Sequence, residues 1–196
     1  MQVTTIVKSL ALLVLVNAAP SALPYSVEVG EISGTYNGNA FAIRGDVQEV
    51  AAELEARHGP LQTRSAEFEL QPVKREKLNK DGIICIPVSG QSWTWALTVD
   101  IQNGINTINS IGGSLGVNGH QCARLSCNGG APGAGIFLCN DNDYKITPGL
   151  NYMATYANDI KNKCLINIPF GNQVSGGQEF DSDNYNIIVK EGCNAL

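Results

Sequence analysis

Ionisable side chains suited to catalysis are scarce in this sequence. The 196 residues include two histidines, and only 16% of the residues are charged. After Arg75 the chain has one histidine, His120, and one arginine, Arg124. A secreted nuclease that pairs a carboxylate with histidine needs more such groups, and its phosphate substrate needs more cations. The composition therefore disfavours this class of enzyme. A Ser-His-Asp triad through His120 stays arithmetically open, but we expect no serine in a nucleophile elbow.

Long apolar runs and metal-binding clusters are absent as well. The apolar run at residues 9–16 is far shorter than the ~20 residues of a membrane-spanning helix, and no later segment comes close. No Asn-x-Ser/Thr acceptor for N-glycosylation occurs. The close cysteine pair Cys122 and Cys127 has no second matching pair, which argues against zinc. We expect no membrane span, no metal and no cofactor.

The first 75 residues contain no cysteine and carry two processing signals. Residues 1–18 have the basic start, apolar centre and small-residue end of a signal peptide, with the cut predicted near Ala18. The pair Lys74-Arg75 lies in the polar stretch "ELQPVKREKLNK" and is the predicted site of a dibasic processing protease. Residues 19–75 would then be a propeptide, in which Asp46 caps one amphipathic helix over about 46–58.

Residues 76–196 are predicted to form the mature, secreted domain. An even number of cysteines in a secretory chain predicts three disulfides, although fifteen pairings stay open. The cysteines are Cys85, Cys122, Cys127, Cys139, Cys164 and Cys193. Isoleucines at helical spacing over residues 101–111 predict one helix, and Thr147-Pro148 predicts the start of another. We expect an α+β fold, a small two-layer α/β sandwich with an antiparallel or mixed sheet and two helices on one face.

Charge and aromatic residues indicate the kind of partner. The region after Arg75 has seven Lys and Arg against ten Asp and Glu. A net charge of −3 disfavours nucleic acid and anionic membrane surfaces as partners. Trp93 and Trp95, two positions apart, could stack on sugar rings or on a partner surface, or close the edge of the core. Together with His120 and Arg124 they are the candidate binding residues.

Three stretches carry a resemblance to a known family. The signal peptide, cysteine-free segment, Lys-Arg pair and six-cysteine domain together resemble small secreted cysteine-rich preproproteins of filamentous fungi, including effectors of plant-associated species. The stretches "GIFLCN", "YANDIKNKC" and "VSGGQEFDSDNYNIIVKEGC" are similar to the killer-toxin-like α/β-sandwich proteins of smut and other fungi. The resemblance implies kexin-type cleavage at Lys74-Arg75 and a toxin-like, non-enzymatic activity. The chain departs from the smut toxin in its fewer cysteines and its acidic mature region.

The sequence thus predicts a secreted protein that acts outside the cell by binding an unidentified extracellular or host target. It would be effector-like or toxin-like and have no catalytic site. Two alternatives stay open: a small secreted hydrolase with a site near His120 and Asp141, and a structural protein of the cell wall. A cleft that brings His120 within hydrogen-bond reach of a carboxylate would favour the hydrolase.

Overall fold

The computed structural model describes residues 23–60 and 79–193. The predicted signal peptide, the cut near Ala18 and the Lys74-Arg75 pair lie outside the described residues. The helices of the described ranges are α1 (Val47–His58), α2 (Thr98–Ile111) and α3 (Leu150–Lys163). The strands are β1 (Val27–Glu28), β2 (Glu31–Tyr36), β3 (Asn39–Arg44), β4 (Lys80–Cys85), β5 (Ala96–Leu97), β6 (Ser114–Gly116), β7 (Gln121–Asn128), β8 (Ala134–Asn140), β9 (Ile166–Asn167), β10 (Gln173–Ser175), β11 (Gly177–Asp181) and β12 (Tyr185–Glu191).

A six-stranded mixed sheet, in the order β1-β7-β8-β12-β11-β4, forms the centre of the fold. Strand β1 runs parallel to β7, and the other neighbours are antiparallel. Strands β8 and β12 are buried along almost their whole length, because both faces of the sheet are covered. Such strands are continuously apolar rather than alternating, which is how "GIFLC" and "YNIIV" appear in the sequence.

The two faces of the large sheet belong to different clusters of buried side chains. One face packs against all three helices, and its cluster includes Leu138 and Ile187. Neighbouring residues on the same strands, such as Phe137 and Ile188, point to the other face. There they contact Trp93 together with residues from the irregular chain around it.

Two smaller sheets extend this centre. Strands β3-β2-β6 form one, which joins the N-terminal segment to the chain after α2. Strands β5-β10-β9 form the other, beside the ends of α2 and α3. The mixed α/β class is confirmed, but the two-helix sandwich was too simple. Helix α1, predicted in the N-terminal segment, packs in the same core as α2 and α3. The two further sheets come from pairings between residues far apart in sequence, which local periodicity does not reveal.

Three disulfides are present, as the cysteine count predicted. Two of them join β7 to β8 and β7 to the C-terminal end of the described chain, and the third joins β4 to the end of α3. The pairs are Cys85–Cys164, Cys122–Cys139 and Cys127–Cys193. The bridges close loops of 79, 17 and 66 residues, so each removes considerable freedom from the unfolded chain.

The segment from residue 23 to residue 60 is part of this fold. Helix α1 begins with a capping box: the Asp46 carboxylate accepts from the backbone N–H of Glu49, and the Glu49 side chain accepts from the N–H of Asp46. Val47, Val50 and Leu54 lie on one face of the helix and are fully buried against the core. A propeptide with a single helix was expected here; the structure adds three strands, all paired in sheets.

Candidate functional site

The candidate binding residues from the sequence do not form one surface. Trp93 is buried on the second face of the large sheet, whereas Trp95 is 37% exposed. Arg124 donates from Nε to Asp46 Oδ2 over 2.8 Å and thereby holds helix α1. His120 lies in a turn at φ 51, and its ring centroid is 5.5 Å from that of Tyr25, with the two planes tilted by 52°. Among the four, Trp95 alone lies on an exposed apolar surface.

The region of His120 and Asp141 does not have the geometry of a catalytic pair. Tyr25 is near both: its ring contacts His120, and its pKa is raised by burial and by a hydrogen bond to Asp141. Within the described residues, no carboxylate lies in hydrogen-bond or ion-pair reach of the His120 side chain. The two cavities described below are lined by neither residue. The feature that would favour a hydrolase is therefore not seen in this part of the chain.

Ser114 lies in a match to the sequence pattern of a nucleophile elbow, where none was expected. Residues 112–116, "GGSLG", match the pattern Gly-x-Ser-x-Gly of a nucleophile elbow. A nucleophile elbow connects a strand to a following helix, but Ser114 begins β6 directly after α2, in the reverse order. Its hydroxyl lies 3.5 Å from that of Ser33. The pattern arises because glycines follow the end of α2 in the sequence, and not from a strand-turn-helix geometry.

Two cavities lie on the described surface, and the charged groups in the first are paired. A cavity of about 580 Å³ lies between the N-terminal segment and β7, and it is lined by Arg44, Asp46, Glu49 and Arg124. Arg44 donates to the carbonyl oxygen of Val29, and Arg124 pairs with both carboxylates. These groups join parts of the protein to one another. A second cavity of about 700 Å³ is mainly polar and is lined by Tyr152 and Tyr185.

A buried polar cluster lies next to the second cavity, between β11 and α3. The hydroxyls of Tyr152 and Tyr156 are 2.7 Å apart, and both donate to Asp181 Oδ2. Burial raises the pKa of Tyr156 and of Tyr185 far above the ordinary value for a phenol. These hydroxyls therefore keep their protons at neutral pH and serve as hydrogen-bond donors. The cluster fastens the helix to the sheet.

Glu179 lies on the same face of β11, two residues before Asp181. Its side chain is 3% exposed, and its Oε2 atom has no hydrogen-bond partner among the described residues. Desolvation raises its pKa to about 7, from an ordinary 4.5. A buried carboxylate of this kind holds its proton in mildly acidic solution. No pattern in the sequence distinguished Glu179, because "GQEFD" alternates as an ordinary strand does.

The clearest exposed apolar surface is the outer face of the sheet β5-β10-β9. In its register, Leu97 on β5 lies opposite Val174 on β10, which lies opposite Ile166 on β9. The neighbouring pair, Ala96 and Ser175, points inward and is buried. We call the outward-facing set the apolar face. It consists of Trp95, Leu97, Ile166, Ile168, Phe170 and Val174.

The apolar face ends in a turn with an unpacked aromatic ring. Residues 165–170, "LINIPF", are all exposed, and Phe170 is 100% exposed at φ 70. A bulky residue in this left-handed region is uncommon, and the ring gains no packing there that would offset the strain. Lys161 and Lys163 precede this run in the chain, and no acidic residue occurs between Asp159 and Glu179. At the opposite edge of the sheet, the Thr94 hydroxyl beside Trp95 donates to the Glu191 carboxylate.

The described ranges contain neither a metal-binding group of side chains nor a helix suited to spanning a membrane. No group of three or more His, Cys, Asp or Glu side chains there could hold a metal ion. None of the helices in residues 23–60 and 79–193 is both long and apolar enough to cross a bilayer. The chain was also compared with known proteins. It matches no protein-family model, no curated protein and no solved structure.

Proposed function

We propose that this chain is a secreted, disulfide-bonded protein that acts outside the cell by binding, as an effector or toxin-like protein. A signal-peptidase cut near Ala18 and a dibasic cut after Arg75 would prepare it. Three disulfides in the fold support an oxidising compartment. The observation that carries the binding function is the apolar face, because a run of exposed apolar residues such as "LINIPF" has no role in the core.

The occupant that fits this face is an extended segment of another protein. Strand β9 lies at the edge of its sheet, and its Ile168 N–H bonds inward to the carbonyl oxygen of Asn172 over 3.0 Å. Because backbone groups of an antiparallel strand alternate in direction, those of Asn167 point to the open edge. A partner strand could pair with them, whereas hydrocarbon could not satisfy them. This favours a protein over a lipid surface.

The charged residues near β9 indicate the charge of the partner segment. Lys161 and Lys163 lie at the end of α3, directly before the edge strand, and acidic residues are absent from residues 160–178. An added strand with apolar residues on one side and Asp or Glu on the other would bury Ile166 and Ile168 and bring acidic groups near the end of α3, where Lys161 donates to Gln102 Oε1. We therefore propose an acidic, apolar, extended polypeptide segment as the ligand of the apolar face.

A peptide titration tests this function. The probes are two fluorescent peptides of alternating sequence, one with Val and Glu and the other with Val and Lys. The Glu peptide should bind more than tenfold tighter, because opposite charge stabilises the complex and like charge opposes it. The double variant Ile166→Ser, Ile168→Ser should lose binding of the Glu peptide. The matched control Ala52→Ser, exposed on α1, should keep it.

Four results would contradict the proposal. Equal binding of both peptides would contradict a role for the lysines. Unchanged binding by the double variant would contradict binding at the apolar face. A concentration-dependent dimer that the double variant abolishes would assign the face to a second copy of the chain. If the protein sedimented with anionic vesicles and this required Phe170, the apolar face would be assigned to lipid instead.

A further inference from the structure

We infer that residues 23–60 remain bound after cleavage at Lys74-Arg75, so that the mature protein is a complex of two chains. This inference rests on the proposed dibasic processing, but here the cut does not release the N-terminal part. The cut would break the main chain, and the two parts would stay together. The support comes from the contacts between residues 23–60 and residues 79–193.

No covalent bond other than the main chain joins the two parts. All six cysteines lie in residues 85–193 and pair with one another. A cut after Arg75 would therefore leave the N-terminal part held by non-covalent contacts. Whether it stays depends on how much surface it buries and on how many polar groups would lose their partners.

The apolar contacts resemble those inside a single core. Ile32, Val47, Val50 and Leu54 are fully buried, and they belong to the same cluster as side chains of α2 and α3. Helix α1 contacts both α2 and β7. Loss of this segment would expose the apolar surfaces of α2 and β7 that α1 contacts.

Two strands of the N-terminal segment complete sheets of the other part. Strand β1 pairs with the edge of β7, where the Cys122 N–H bonds to the carbonyl oxygen of Ser26 over 2.9 Å. Strand β2 pairs with β6, with Ile32 opposite Leu115. Removal of the segment would open both edges, and an open edge strand is a site of aggregation.

Buried polar groups across the boundary also depend on each other. Gln48 donates from Nε2 to Ser126 Oγ over 2.8 Å and accepts at Oε1 from the Cys127 N–H over 3.0 Å. Ser126 is fully buried, so departure of Gln48 would leave its hydroxyl without this partner. Asp46 forms the ion pair with Arg124, and Glu28 accepts from Asn118 twice. These bonds give the boundary the specificity of a permanent interface.

An engineered cut tests the inference independently of natural processing. The recognition sequence of a site-specific protease is inserted after Arg75, and the folded, oxidised protein is cut. We expect both chains to elute together in equal amounts in native size exclusion, and to separate in denaturant without any reductant. Elution of the N-terminal chain alone, with the near-UV circular dichroism of the other chain unchanged, would overturn the inference.

Matched variants of the cut protein locate the contact. Leu54→Asp, on the buried face of α1, should release the N-terminal chain. Ala56→Asp places the same residue on the exposed side of the helix and should leave the complex intact. Release by both variants, or by neither, would contradict the packing of α1 as the source of binding.

The natural secreted product separates this inference from the processing proposal. N-terminal sequencing of one native peak should give two starts, near Ala19 and at Glu76. A start near Ala19 alone would reject the dibasic cut, while the engineered cut would still decide the inference. A start at Glu76 alone would support the cut and reject the two-chain product.

Discussion

Glu179 makes the stability of this protein sensitive to mildly acidic pH. The carboxyl lies inside the contact between β11 and α3, with one oxygen unpaired in the described structure. Burial raises its pKa to about 7, and the charge of Asp159 acts in the same direction. Lys80 and Lys163 oppose this rise, and Asp181 adds to it. The net effect is that folding favours the protonated acid.

The sign of the pH effect follows from proton binding. Below pH 4.5 the carboxyl is protonated in both states, and its contribution to stability is fully present. Between pH 4.5 and about 7 the unfolded chain loses its proton first, so the free energy of unfolding falls as pH rises. Above about pH 7 the folded protein carries the full cost of a buried charge. The shift corresponds to about 3 kcal/mol, at roughly 1.4 kcal/mol per pKa unit.

Denaturant unfolding between pH 4.5 and pH 8 of wild type and Glu179→Gln measures this effect. The wild type should lose about 3 kcal/mol relative to the variant across this range, because glutamine cannot ionise. Glu55→Gln, exposed on α1, is the matched control and should run parallel to wild type. Parallel curves for wild type and Glu179→Gln would refute the reasoning, since the carboxyl would then be solvated or paired in the folded state.

Three further predictions concern single positions. Arg124→Ala should lower the free energy of unfolding by about 1–3 kcal/mol, because the buried Asp46 carboxylate loses its partner; urea unfolding measures this, and no change would mean that the pair is solvated. Gly113→Ala should abolish stable folding, since φ is +95° and a Cβ would lie 2.2 Å from the carbonyl oxygen of Ser33; secretion at wild-type yield would contradict this placement. Phe170→Ser should change stability by less than about 0.5 kcal/mol yet weaken binding of the Glu peptide, and a large loss of stability would show that the ring is packed.

Local patterns in the sequence predicted the helices best. The isoleucine spacing placed α2 correctly, and all four isoleucines are buried. The predicted start of α3 at Thr147-Pro148 is slightly early, because α3 begins at Leu150. The preceding residues are held in extended pairing instead: Ile146 exchanges backbone hydrogen bonds with Val117, and the Pro148 carbonyl accepts from Leu115. Tertiary pairing here delays the helix beyond its local signal.

Local sequence patterns did not reveal the sheets of the N-terminal segment or the apolar face. Strands β2 and β3 are half exposed and contain glycine, alanine and serine, so their period of two is weak. Their role depends on β6, about 80 residues later in the chain, and sequence spacing carries no record of such a pairing. Trp93 and Trp95 are two positions apart, a spacing that would place both on one side of an extended chain. They differ in burial because the chain before β5 is irregular and turns Trp93 beneath the sheet.

The apolar face combines fixed ends with unpacked side chains, which suits binding better than folding. The Cys85–Cys164 disulfide lies directly before Leu165, and at the other end the Ser175 hydroxyl donates to the carbonyl oxygen of Ile160 over 3.0 Å. The backbone is therefore held before any partner arrives, so binding costs little ordering entropy. The exposed side chains add nothing to the core, and their burial by a partner would contribute roughly 25 cal/mol per Å² of apolar surface. A surface that only supported the fold would have no physical reason to keep Phe170 in water.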